Sequence, residues 1–101
     1  MERRWSRRKQ VELDVLLRYP GLGMVSCKTR DLGFEGANII TGSVALAPTA
    51  GVELIFSRPE DVAAAEVHLG AKVVRVHADG IGVNFSHYHD GAYSYLLKLL
   101  N

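Results

Sequence analysis

Apolar residues in this chain recur at every second position in short bursts, and that spacing restricts the fold more than any other feature. Val11, Leu13 and Val15 alternate with Glu12 and Asp14, the pattern of a strand with one buried and one wet face. Pro20-Gly21-Leu22-Gly23 supplies a turn. Val25, Cys27 and Thr29 then alternate with Ser26, Lys28 and Arg30, which predicts a second strand paired back on the first. Cys27 falls on its inward face, as a small core residue rather than a nucleophile. Asp31 to Gly36 breaks the pattern, and Ala37-Asn38-Ile39-Ile40 resumes it as a short third strand. Gly42 to Ala50, with Pro48 and small residues, reads as a loop, and Val52, Leu54 and Phe56 make a fourth strand.

Ser57-Arg58-Pro59-Glu60-Asp61 looks like a helix start; Val62 to Ala65 fits either its continuation or the next strand. Val67, Leu69, Ala71 and Val73 alternate, after which the apolar phase slips to Val74 and Val76. A bulge produces such a slip, as does a strand whose halves serve different faces of a closed barrel. After an Asp79-Gly80 turn, Ile81, Val83 and Phe85 form the last strand. Ala92, Tyr93, Leu96, Leu97 and Leu100 follow at helical spacing, with Asp90 as the cap. The expectation is an all-β fold: a six-stranded antiparallel barrel, closed so that no edge is exposed, with a C-terminal helix.

A length of 101 residues suits one domain. Apolar residues at 48% and charged ones at 23% exclude global disorder and a fibrous chain. No apolar run approaches the roughly 18 residues of a membrane span. The charged start has no apolar stretch behind it to make a signal peptide, so a cytoplasmic protein is expected. One cysteine cannot make an internal disulfide or a thiolate metal cluster.

Histidines 68, 77, 87 and 89 show no zinc spacing and read as solvent-facing strand and loop residues, so no metal is expected. Gly80-Ile81-Gly82 precedes a strand, not the helix a phosphate loop needs. No Ser/His/Asp arrangement stands out. An enzyme is not expected.

Charge distribution is more informative than the net value of +1. Arg3, Arg4, Arg7, Arg8 and Lys9 are five of the twelve basic residues, and only Glu2 of the eleven acidic ones lies among them. A body with seven basic and ten acidic residues therefore carries a basic arm, which is either an anion site or a solvated terminus.

Arg4-Trp5-Ser6-Arg7-Arg8 forms an RxxxR pattern just before the first strand, and Arg3 to Arg7 fits an overlapping register. Asp31-Leu32-Gly33-Phe34-Glu35-Gly36 lies at the break between the second and third strands. In this order, on this strand pattern, the chain resembles the PilZ domain family. That family binds the bacterial second messenger cyclic di-GMP through RxxxR and [D/N]xSxxG motifs. The resemblance extends through Val73-Val74-Arg75-Val76 and Gly80-Ile81-Gly82-Val83-Asn84-Phe85 to the closing helix.

It implies a PilZ-type barrel over residues 11–101, a flexible basic arm over residues 1–10, and cyclic di-GMP as ligand. The spacing to Val11 favours Arg4 and Arg8 as the gripping pair, with Arg3 and Arg7 as alternates. Arginine forks match both the O6/N7 edge of guanine and phosphate oxygens. Asp31 complements the N1–H and N2–H donors of guanine. Gly36 lets backbone pass close to a base or phosphate, and Gly33 stands where the family has Ser, removing one hydroxyl contact. The implied mechanism is ordering of the arm onto the barrel, which changes the surface shown to a protein effector in motility, pili or polysaccharide export. A degenerate interaction module without nucleotide is the alternative. A single-stranded DNA or RNA binder is disfavoured by the acidic body and by aromatics placed on the helix.

Overall fold

The alternating segments close into a barrel in the computed structural model, which describes residues 8–42, 44, 46–57 and 66–100. Its strands are β1 (Lys9–Gln10), β2 (Asp14–Tyr19), β3 (Gly23–Leu32), β4 (Gly36–Ile40), β5 (Gly51–Phe56), β6 (Val67–Val76) and β7 (Gly80–Tyr88), followed by helix α1 (Ala92–Leu100). The order β3-β2-β5-β6-β7-β4 returns to β3, so six antiparallel strands form a closed ring and β1 adds to β3. Residues 8–10, which the sequence places at the end of a flexible arm, thus lie against the sheet, with Lys9 opposite Leu32 and Gln10 opposite Asp31. Of the segment expected as a helix start, Ser57 to Asp61, and its continuation to Ala65, all but Ser57 lies outside the described residues.

Period two explains the core. Val15, Leu17, Cys27, Ile39, Leu54, Phe56, Leu69, Val73, Ile81 and Val83 point inward and are buried, and burial raises the Cys27 thiol pKa. Pro20 and Gly21 occupy the centre of the β2–β3 turn, closed by Leu22 N–H donating to Tyr19 O at 2.9 Å. Gly21 has φ +91° there, the conformation a type II turn demands after proline.

Three local expectations need correction. The alternation predicts a first strand from Val11, but it starts at Asp14, because the Thr29 side chain interposes. Its fully buried hydroxyl donates to Val11 O at 2.5 Å and accepts from Leu13 N–H at 2.9 Å. Asp90 is not the residue that starts the helix ladder: Tyr95 N–H donates to Gly91 O at 3.0 Å, with Gly91 at φ +84°. The helix also buries a different stripe. Ala92, Leu96 and Leu100 are buried, whereas Tyr93 and Leu97 are exposed and Tyr95 and Leu99 pack partly against the core.

Candidate functional site

Strict alternation after Val25, Cys27 and Thr29 would carry Asp31 into the core. A bulge between Thr29 and Asp31 prevents this: Arg30 is the extra residue, Leu32 takes the buried position, and Asp31 turns outward. Bulges re-aim side chains in this way. Pairing of β1 with β3 then lays Arg8 beside it, and Arg8 Nη1 donates to Asp31 Oδ1 at 2.7 Å. On the other flank Asn38, opposite Asp31 on β4, donates from Nδ2 to Oδ2 at 3.0 Å and to Oδ1 at 3.2 Å. Asp31 remains 19% exposed and Arg8 47%, so the pair is accessible to a ligand. Arg3, Arg4 and Arg7 lie outside the described residues; Arg8 alone of the expected arginines is placed, next to the expected acid.

The turn that follows is tied at each end. Gly33 N–H donates to Gly36 O at 2.9 Å, and Phe85 N–H donates to Glu35 O at 2.7 Å. Tyr88 Oη donates to Phe34 O at 2.5 Å, and the Phe34 and Tyr93 rings lie 5.5 Å apart. Burial, with the Glu35 charge adding to it, raises the Tyr88 phenol pKa. Gly36 has a packing reason for being glycine: a Cβ there would sit 2.1 Å from Val83 O. Gly33 is buried and is not among the glycines with positive φ. Asn38 is a site residue that the sequence reading misses; the available signal is a polar amide inside the apolar run Ala37-Asn38-Ile39-Ile40.

The histidines are less scattered than their spacing suggests. His87 lies on β7 rather than in a loop, and its ring centroid is 4.5 Å from that of His89, which is 5.9 Å from that of His68. His68 bridges Glu53 at 2.7 Å and Glu66 at 3.3 Å. Among the described residues, no group of three or more His, Cys, Asp and Glu side chains is arranged to hold a metal ion.

The PilZ domain model matches residues 2–101. The chain belongs to the PilZ domain family. Its barrel resembles that of a Bacillus subtilis inhibitor of motility, MotI/DgrA, with a TM-score of 0.81 at 17% identity, over 99% of this chain and 50% of that protein. This chain thus spans half the length of that neighbour. The PilZ domain of CeSA from a cellulose-synthesizing bacterium gives 0.72 at 17% identity, over 93% of this chain and 94% of that one. No curated protein matches the sequence. Against the family pattern, this PilZ domain keeps Asp31 and Gly36 of the second motif and has Gly33 in place of Ser.

Proposed function

We propose that this PilZ domain is a cytoplasmic receptor for cyclic di-GMP that works as an adaptor, with no catalytic step. The observation that carries this reading is the contact between the two motifs: Arg8 and Asp31, 23 positions apart, meet at 2.7 Å on the outside of the barrel. A ligand that offers N1–H and N2–H donors competes with Arg8 for the Asp31 carboxylate. The displaced guanidinium can then grip O6/N7 or phosphate oxygens of the same ligand. An exposed ion pair of this kind is worth only about 0–1 kcal/mol, whereas a bidentate base contact contributes about 1–3 kcal/mol. The exchange therefore runs toward the ligand. Arg3, Arg4 and Arg7 supply the remaining positive charge, and Gly33 and Gly36 shape the backbone beside it.

The output follows the same strand. Lys9, next to Arg8, donates from Nζ to Leu99 O at 2.9 Å, where a cation suits the negative end of α1. Moving Arg8 therefore disturbs the helix and the aromatic group of Phe34, Tyr88 and Tyr93 on which a protein effector can read the change. Motility and cellulose synthesis, named for the two structural neighbours, are the kinds of process that such an effector serves. Among the described residues no helix is long and apolar enough to cross a membrane.

Titration calorimetry with cyclic di-GMP and cyclic di-AMP tests the reading. Binding of the guanine ligand is expected in preference to the adenine one, because adenine presents a donor where guanine has O6. Absence of heat with cyclic di-GMP at high micromolar concentration would leave an interaction module without nucleotide. Equal binding of single-stranded RNA would point instead to a nucleic-acid binder.

A further inference from the structure

We infer that Arg75, on β6, is a second ligand-gripping arginine of this site, supplied by the barrel itself and acting on the half of the ligand remote from Asp31. The inference rests on the receptor reading above and adds a residue that neither motif contains. A cross-strand row carries it. Gln10 on β1 pairs with Asp31 on β3, Asp31 with Asn38 on β4, Asn38 with Gly82 on β7, and Gly82 with Arg75 on β6.

Both charged residues of that row reach the outer face by the same device. Val73 points into the core and is fully buried, so alternation alone would bury Arg75 as well. A register shift between Val73 and Arg75 makes Val74 the extra residue and turns Arg75 outward, as the shift between Thr29 and Asp31 turns Asp31. Two separate bulges thus deliver one acid and one base to a single row.

Gly82 forms the floor between them. A Cβ there would lie 3.0 Å from Asn38 Oδ1 and 3.3 Å from Arg75 Cβ, so a side chain would fill the space that separates the two. With Nδ2 of Asn38 committed to Asp31, its Oδ1 faces this floor as an acceptor. Charge accounting separates Arg75 from its peers. Of the four arginines among the described residues, Arg8, Arg18 and Arg30 pair with Asp31, Glu53 and Asp79. Arg75 is exposed and has no carboxylate partner among the described residues.

Distance selects the ligand class. Asp31 and Arg75 are three strand steps apart, or about 14 Å at the backbone. A molecule that engages both needs a donor edge for the carboxylate and a separate acceptor group for the guanidinium. A cyclic dinucleotide carries guanine donors in one half and phosphate oxygens and a further O6/N7 edge in the other.

Cyclic di-GMP affinity and melting temperature, measured on the full chain for wild type, Arg75→Ala, Arg75→Lys and Arg18→Ala, test the inference. Arg75→Ala is expected to weaken binding about 5- to 100-fold, the equivalent of one bidentate contact, at an unchanged melting temperature. Arg75→Lys should remain weaker than wild type, since an ammonium cannot reproduce the fork. Arg18→Ala, which removes the same charge far from the row, should bind as wild type does. Wild-type binding with an unaffected Arg75→Ala variant overturns the inference and leaves the receptor reading standing, as does an equal loss in Arg18→Ala. No binding by wild type overturns the receptor reading itself, and the role of Arg75 with it.

Discussion

The two ends of β6 present charge in opposite ways. At its start, His68 is held between Glu53 and Glu66, and Glu53 is shared with Arg18 at 3.3 Å, so each charged group there answers to a neighbour in the barrel. At its end, Arg75 stands beside the Gly82 floor with no carboxylate partner among the described residues. Both ends are outer-face surface on the same strand, and both border glycines, Gly70 and Gly82. The difference teaches that polarity alone does not mark a site. A charge held among several partners on the regular ladder, as Glu53 is, serves the barrel; a charge that a bulge turns outward, as Asp31 and Arg75 are, is presented to a ligand.

The largest expected effect separates the backbones of the two regions. Gly36→Ala places a methyl 2.1 Å from Val83 O, a backbone atom that cannot swing aside, and should cost about 3 kcal/mol of stability in urea unfolding. At Gly70 the nearest obstacle to a methyl is the His87 side chain, 3.1 Å from where its carbon would sit; Gly70→Ala should cost far less. Equal losses would mean that β4 and β7 are no more tightly joined than β6 and β7 near the histidines.

Next comes the acid itself. Asp31→Ala should lower cyclic di-GMP affinity by about 1.5–3 kcal/mol, the range for a hydrogen bond to a charged group, while the melting temperature hardly moves. Glu53→Ala should do the reverse, leaving affinity intact and lowering stability slightly. An affinity loss in both variants would erase the contrast between the two regions.

A smaller change is expected at Gly33. Its φ is not positive, so serine fits the backbone without strain, and restoring the hydroxyl should tighten binding by up to roughly tenfold. Weaker binding in Gly33→Ser, read by the same titration, would show that the buried position has no room for the side chain.

The smallest effect is a pH dependence confined to the histidine end. The hydrogen bond from His68 lowers the Glu53 carboxyl pKa, with burial opposing and Arg18 assisting. A depressed carboxyl pKa contributes stability above its unfolded value, and that contribution disappears as pH falls through the folded value. The melting-temperature gap between wild type and Glu53→Gln should therefore close in acid. A gap that widened in acid would contradict the sign.

Much of the barrel is legible because inward and outward residues alternate. The Pro20–Gly23 turn, the inward Cys27 and the phase slip after Val73 can all be read from local spacing. Asp31 can be read as a site residue, but not its direction, because a one-residue bulge at Arg30 leaves no mark in composition. Arg75 and Asn38 are hidden for another reason. Their neighbours come from four strands, and only the closed register of the ring sets which residues share a row. The same holds for His68, His87 and His89, which β6 and β7 bring together across the sequence. In the helix, Tyr93 and Leu97 look inward from spacing because several apolar stripes compete on a short helix, and the chain's entry through Gly91 selects the one that ends on Ala92, Leu96 and Leu100.

Thr29 has a consequence for how the chain unzips. β1 contributes only two residues to the ladder, so Lys9 and Gln10 can part from β3 at little cost. Past that point, peeling has to break both hydrogen bonds of a hydroxyl with no solvent access. Thr29 therefore acts as a stop that separates a fast-exchanging β1 from a slowly exchanging ring. The amide of Leu13 belongs to the ring although it lies outside any strand. Displacing Lys9 and Gln10 from β3 therefore need not loosen the barrel that carries Asp31 and Asn38.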